Sequence, residues 1–303
     1  MTLSRRALAT LVALSPTAMH HQPALATQDA LPHLRARAKT PPQRLRRPDT
    51  LQPTDHGTTV YPNWLLGTWS VQNTIRSFST PIGPFFVDTA VVETARDDIR
   101  REETLRYALR WAENAGGGCA QDRAFNGASE ARAFLGADEL TASEFATPAA
   151  WPHGRLTLDF VVDAAPVRVE LGILWCQSAT ERGGAVTTSE LMQQRVGQEG
   201  TDDAYDLIES ITRIEPAGES GRATRGWIGE RGLSGARGPT RARARNRVVQ
   251  YYVQRSGGAD TAAAAKRRKL AALANDRAVA VFARERRMER MEAAERAAEP
   301  AAS

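Results

Sequence analysis

The chain has 303 residues, a formal net charge of +5 and a mean hydropathy of −0.42, and residues 61–209 hold 12 basic against 22 acidic side chains, a balance of −10. The length allows two domains, but this distribution argues for one acidic core flanked by basic tails. Arginine outnumbers lysine 37 to 3 in core and tails alike, which reads as a composition bias rather than as a nucleic-acid-binding signal.

Residues 1–26 carry the three parts of an export signal: Ser4-Arg5-Arg6, an apolar stretch from Ala7 to Ala18, and Pro23-Ala24-Leu25-Ala26, with cleavage expected after Ala26. The apolar stretch spans roughly 18 Å as a helix, short of the ~30 Å of a hydrocarbon core, so no transmembrane anchor is expected. The paired arginines suit a twin-arginine route. The alternative is an Ala-rich start or part of an organelle presequence, since residues 1–28 contain no acidic side chain. Residues 27–58, with Pro32, Pro41, Pro42, Pro48 and Pro53 among Arg35, Arg37, Lys39 and Arg44, read as a flexible Pro/Arg-rich linker.

Short β-rich runs fill residues 59–255. Strands are expected at Trp64–Val71, Phe85–Val92, Thr104–Trp111, Val186–Val196, Ala204–Ile214 and Val248–Val253, and a hairpin at Leu156–Val162 with Val167–Trp175. One short helix is expected at Ala128–Leu135, before Gly136. The segment 216–247 reads as an Arg/Gly-rich loop, in which Gly232, Gly235 and Gly238 mimic a collagen triplet but are too few to form one. Residues 256–303 read as a charged, Ala-rich tail, helical or disordered. The expected fold is mainly β: an antiparallel, lipocalin-like β-barrel, closed or nearly closed.

Motifs that carry chemistry are scarce. In the core only His153 offers an imidazole, which argues against a zinc site, and no carboxylate spacing marks a calcium loop. Gly116-Gly117-Gly118 precedes Cys119 rather than a lysine, so it is a turn and not a phosphate cradle. No catalytic residue, cofactor or metal ligand is assigned. An enzyme would need clustered carboxylates with a tyrosine or His153 in a cleft. Cys119 and Cys176 form either one disulfide, contributing roughly 3–4 kcal/mol, or two separate thiols.

Tyr61-Pro62 followed by Gly67-Thr68-Trp69 looks like the opening of lipocalin-type ligand-binding barrels. That resemblance implies a glycine permitting close backbone approach and a tryptophan closing the barrel floor under an arginine from the last strands. Arg213 or Arg247 is the candidate to stack on Trp69, and Trp64, Trp69, Tyr107, Trp111, Phe160 and Trp175 are the aromatics expected inside.

A longer match adds Phe78 to Pro84, Asp122-Arg123-Ala124-Phe125-Asn126 leading to Ser129-Glu130, then Phe134-Leu135-Gly136, Cys176, Ser189-Glu190 and Gln194. Over residues 58–215 the chain resembles an uncharacterised family of cyanobacterial, algal and plant proteins, many directed to the thylakoid lumen. The resemblance implies a soluble β-barrel in a photosynthetic compartment, with bacterial periplasm or secretion as the alternative, and no activity. An upstream transit peptide would be expected in a plant or alga. Two roles follow as expectations. The barrel interior would hold an apolar small molecule, pigment or lipid, in a cavity of several hundred Å³. Alternatively an arginine-rich surface would engage an acidic partner such as a photosynthetic membrane protein.

Overall fold

Period-two alternation of apolar residues gives ten strands: β1 (Gly67–Ser79), β2 (Thr104–Glu113), β3 (Cys119–Gln121), β4 (Leu140–Ala146), β5 (Arg155–Val162), β6 (Ala165–Thr180), β7 (Val186–Gly197), β8 (Asp206–Pro216), β9 (Arg241–Tyr252) and β10 (Ala278–Arg290). They form one antiparallel sheet in the order β3-β2-β1-β10-β9-β8-β7-β6-β5-β4, curled into a half-barrel. The computed structural model describes residues 30–40, 44–45, 59, 61–114, 118–135, 139–148, 153–162, 165–181, 183–197, 205–217, 239–252 and 262–291. The export segment, most of the linker and the glycines 232, 235 and 238 lie outside the described residues.

The mainly antiparallel β reading holds, and β5 and β6 form the expected hairpin, with Leu158 opposite Val169. Three local expectations are corrected. Phe85–Val92 is not a strand. Asp88 caps a helix, α2 (Thr89–Arg101), by accepting from the Ala90 N–H at 2.8 Å, and Val91, Val92 and Ala95 form its buried face. The Arg-rich loop ends before Arg241, where β9 begins, seven residues ahead of the expected strand. Among the described residues the tail is helical over α4 (Ala262–Ala274); beyond it, β10 runs between β1 and β9 at the centre of the sheet. A further helix, α1 (Ala30–Lys39), falls inside the expected linker.

Among the described residues no strand pair joins β3 to β4, the two ends of the sheet. Helix α3 (Arg123–Leu135) occupies that place, packing on β2 at one end and on β4 and β5 at the other. Its side chains take over the hydrogen bonding of a missing strand. Asn126 Oδ1 accepts from the Arg110 N–H at 2.6 Å while its Nδ2 donates to the Arg110 carbonyl at 3.2 Å. Ser129 Oγ accepts from the Ala108 N–H at 2.9 Å, and Ser143 Oγ of β4 donates to the Ala124 carbonyl. An edge that would otherwise expose unpaired backbone is thereby covered. Close packing of α3 on β5 relies on Gly127: a Cβ there would come within 2.5 Å of a Leu156 methyl.

Apolar side chains fill both ends of the curl. One cluster joins Val91, Val92 and Ala95 of α2 to Ile173, Met192, Ile208, Val248 and Phe282. The other joins Trp64, Leu65, Trp69, Val71, Tyr107 and Trp111 to Val186, Ile214 and Met288. On the opposite face of the sheet, Trp175, Leu191, Leu207, Val249 and Tyr251 make a separate cluster.

Candidate functional site

Between the two apolar clusters the inward positions of five strands, β6 to β10, turn polar, making a belt around the inside of the curl. Its register runs from Cys176 opposite Glu190, through Thr188 opposite Thr212 and Thr212 opposite Asn246, to Asn246 opposite Arg284. Asn246 Nδ2 donates to Ser210 Oγ at 3.0 Å and to Thr212 Oγ1 at 2.7 Å.

Two side chains of α3 enter this belt and pair with it. Arg123 Nη2 donates to Glu190 Oε1 at 3.2 Å, and both side chains are almost fully shielded from solvent. Glu130 accepts from Arg286 Nη2 at 3.1 Å and lies 3.8 Å from Arg284 Nη1. Burial is the largest influence on three of these groups, Glu190, Arg123 and Arg284. It pushes the Glu190 carboxyl up despite Arg123 and Thr59 beside it, lowers Arg123, and lowers Arg284 to about 10. Arg123 Nε and Nη1 find no protein acceptor among the described residues.

Glu130 and Glu190 line one cavity with Tyr61, Trp111, Thr188 and Arg286. This is the clustering of carboxylates and tyrosine that an acid/base site requires, but the cavity measures about 20 Å³, the room of one water molecule. A second cavity, of about 50 Å³, lies among Asn73, Asp98, Leu105, Phe134, Phe282 and Arg284. Neither admits an organic substrate, pigment or lipid, which needs several hundred Å³. His153 sits in the turn ahead of β5 and lines neither cavity. Among the described residues no group of three or more His, Cys, Asp or Glu is placed to hold a metal ion.

The six aromatics expected inside are all buried, but not together. Trp64, Trp69, Tyr107 and Trp111 share one interior cluster, Phe160 packs under α3 with Leu156 and Leu158, and Trp175 belongs to the cluster on the opposite face. The arginine over Trp69 is neither Arg213 nor Arg247. It is Arg290, at the end of β10, 4.7 Å from the ring centroid. Arg213 instead pairs with Glu181 at 3.2 Å and with Glu215. Cys119 and Cys176 are separate buried thiols. Sequence reasoning missed Arg284, Arg286 and Arg290 because their strand was read as a tail.

The outer face carries a different arrangement. Arg241, Arg243, Arg245 and Arg247 alternate with inward residues along β9, so they project from the same face about 7 Å apart. Arg287 of β10 lies opposite Arg243, and Arg213 of β8 lies opposite Arg245. Acidic neighbours cover part of the row: Glu289 is 3.2 Å from Arg241 and Glu285 is 3.5 Å from Arg243. Burial lowers the pKa of half-buried Arg247, and no carboxylate among the described residues offsets that effect.

No described helix is long and apolar enough to cross a membrane. The domain-of-unknown-function family DUF6816 matches residues 54–300, which takes in the arginine row and β10 as well as the part read from sequence. No curated protein and no solved structure matches the chain.

Proposed function

The chain belongs to the DUF6816 family, and from that premise we propose that it is an accessory protein of the thylakoid lumen that docks its arginine-studded outer face on an acidic partner at the photosynthetic membrane. The compartment rests on the sequence alone: the resemblance of residues 58–215, and the segment from Ser4-Arg5-Arg6 to Ala26. The docking role rests on one observation, the four consecutive outward arginines of a central strand. A central strand cannot extend a sheet by edge pairing, so a row of cations there offers an electrostatic surface instead. Isolated surface arginines would contribute little. A row that exceeds its own carboxylates retains charge for a partner.

Among the described residues the interior supports no competing role of comparable weight. Its belt of buried ion pairs ties α3 to the sheet, and the two cavities beside it are too small for the apolar ligand that a lipocalin-like barrel suggests. Removing either partner of such a pair strands a buried charge, so the belt acts as a structural clasp.

The test is sedimentation of the purified chain with isolated photosynthetic membranes across a salt series. Binding is expected to fall steeply between about 50 and 300 mM salt, as exposed charges become screened. It should weaken markedly in the triple variant R241A/R243A/R245A, and on membranes shaved of exposed protein by protease. Binding that ignores both salt and the triple variant would overturn the proposal.

A further inference from the structure

The segment between β1 and α2 is left unused by the electrostatic reading. From Ser77 to Val87 it contains no charged residue, and it runs Thr80-Pro81-Ile82-Gly83-Pro84-Phe85-Phe86 at its tip. Phe85 is 73% exposed, the most exposed of the large hydrophobics among the described residues, and its ring meets Phe86 edge-on with centroids 5.9 Å apart. Pro81 and Pro84 are exposed beside it, while Ile82 and Phe86 are half-buried against the cluster under α2.

We propose that the Thr80–Phe86 loop is a membrane-contact tip that inserts Phe85 into the interface of a lipid bilayer. Its backbone suits that environment. The Gly83 N–H donates to the Thr80 carbonyl at 2.9 Å, the Phe86 N–H to the Gly83 carbonyl at 3.4 Å and the Val87 N–H to the Pro84 carbonyl at 3.1 Å. The prolines have no N–H to satisfy. Pairing of these three N–H groups lowers the cost of moving the loop out of water. Gly83 takes a φ of +107°, which sets the bend that presents Pro84 and Phe85 outward.

A bilayer fits this feature better than a protein does. A protein partner needs roughly 800 Å² of complementary surface on each side, whereas one protruding aromatic tip penetrates a fluid interface without a preformed counterpart. Charge lies where such contact needs it. Arg76, paired with Glu285 at 2.9 Å, precedes the loop on β1, and Arg247 lies two strands across from Ser77 through Ala283. Asp88, immediately after the loop, confines insertion to the tip. The insertion acts beside the arginine row and does not depend on it.

The experiment uses the full chain and vesicles of neutral lipid at 0.5 M salt, conditions in which the arginine row contributes little. Wild-type protein is expected to partition measurably. F85A should lower the partition coefficient about tenfold, on the order of what burying one phenyl ring is worth, and F85D should abolish it. L273A, at an exposed leucine on α4, should leave it unchanged. Phe85 makes no core contact, so both loop variants should keep the wild-type unfolding midpoint. Equal partitioning of wild type and F85D, or no partitioning of the wild type, would overturn the insertion and leave the arginine-face reading intact. Salt-insensitive binding to native membranes would do the converse.

Discussion

Arg290, the last residue of β10, lays its guanidinium 4.7 Å from the ring centroid of Trp69 while donating to the carbonyls of Trp64 and Leu66. One side chain thus fastens the end of the chain's last described strand to the turn that opens its first. Gly67 makes room for it: with φ at +109°, a Cβ there would stand 3.2 Å from Arg290 Nη1. Substitution R290A should cost about 2–4 kcal/mol, combining a cation–π contact with two charged hydrogen bonds to backbone. R290K should recover only part of this, because an ammonium cannot bond both carbonyls and stack at once. Urea unfolding midpoints of the two variants, compared with R213A, which loses its pairs with Glu181 and Glu215 but not the Trp69 contact, check the prediction.

The contact also shows what the sequence made legible. Gly67-Thr68-Trp69 pointed to Arg213 or Arg247, whereas the arginine over Trp69 is Arg290, from a strand that the sequence did not reveal. Residues 278–290 are rich in alanine, arginine and glutamate, the residues of a solvated helix, and their period-two pattern appears only if Arg284 and Arg286 are allowed to point inward. They do so because α3 brings Glu130 to meet them, a contact 156 residues away for Arg286. The error at Phe85–Val92 has the opposite cause: valines that suggested a strand lie on a helix because Asp88 supplies its cap. The motif Asp122-Arg123-Ala124-Phe125-Asn126 with Ser129-Glu130 was visible, but its role in covering a sheet edge needed the topology. The outward arginines of β9 were legible as charge and not as a face.

Glu190 gives a pH prediction with a definite sign. Burial raises its pKa in the folded chain, so the folded state binds the proton more tightly than the unfolded state does. Its contribution to stability is therefore fully present below the ordinary carboxylate range and declines as pH rises through the raised folded value, by about 1.4 kcal/mol for each unit of the shift. In E190Q that dependence is absent while the amide still accepts from Arg123. The stability difference, wild type minus E190Q, should fall between pH 4 and pH 8, as read from thermal midpoints at constant ionic strength. A difference that rises with pH would show that attraction to Arg123 outweighs burial.

The cysteines should behave as inert thiols. Cys119 Sγ donates to the Pro62 carbonyl at 3.3 Å, and burial pushes its pKa up to about 12 and that of Cys176 up to about 11. Since the thiolate is the reactive form, native protein at pH 8 should resist alkylation by N-ethylmaleimide for hours, whereas denatured protein should take up two equivalents without prior reduction. Mass spectrometry reads both states. An unreduced, denatured sample that takes up none would mean that the two sulfurs are bonded.

Helix α1 lies inside the expected linker, and it is held by three side chains. Leu34 is fully buried against Ala179, Arg35 donates to Glu181 at 2.9 Å, and Arg37 Nε donates to Glu209 Oε1 at 3.0 Å. Glu209 is 1% exposed and also accepts from Ser189 Oγ at 2.7 Å and from Tyr251 at 3.2 Å. R37A leaves that carboxylate without its cation and should cost roughly 2–3 kcal/mol. E209Q, which keeps the hydrogen-bond partners and removes the charge, should cost less. Because α1 precedes the family domain at residues 54–300, its loss should free the helix before the sheet unfolds. Hydrogen exchange should therefore show residues 31–39 deprotected in R37A while β7 and β8 stay protected. If β8 loses protection in step with α1, the helix is an integral part of the sheet's cooperative unit rather than a strap laid across it.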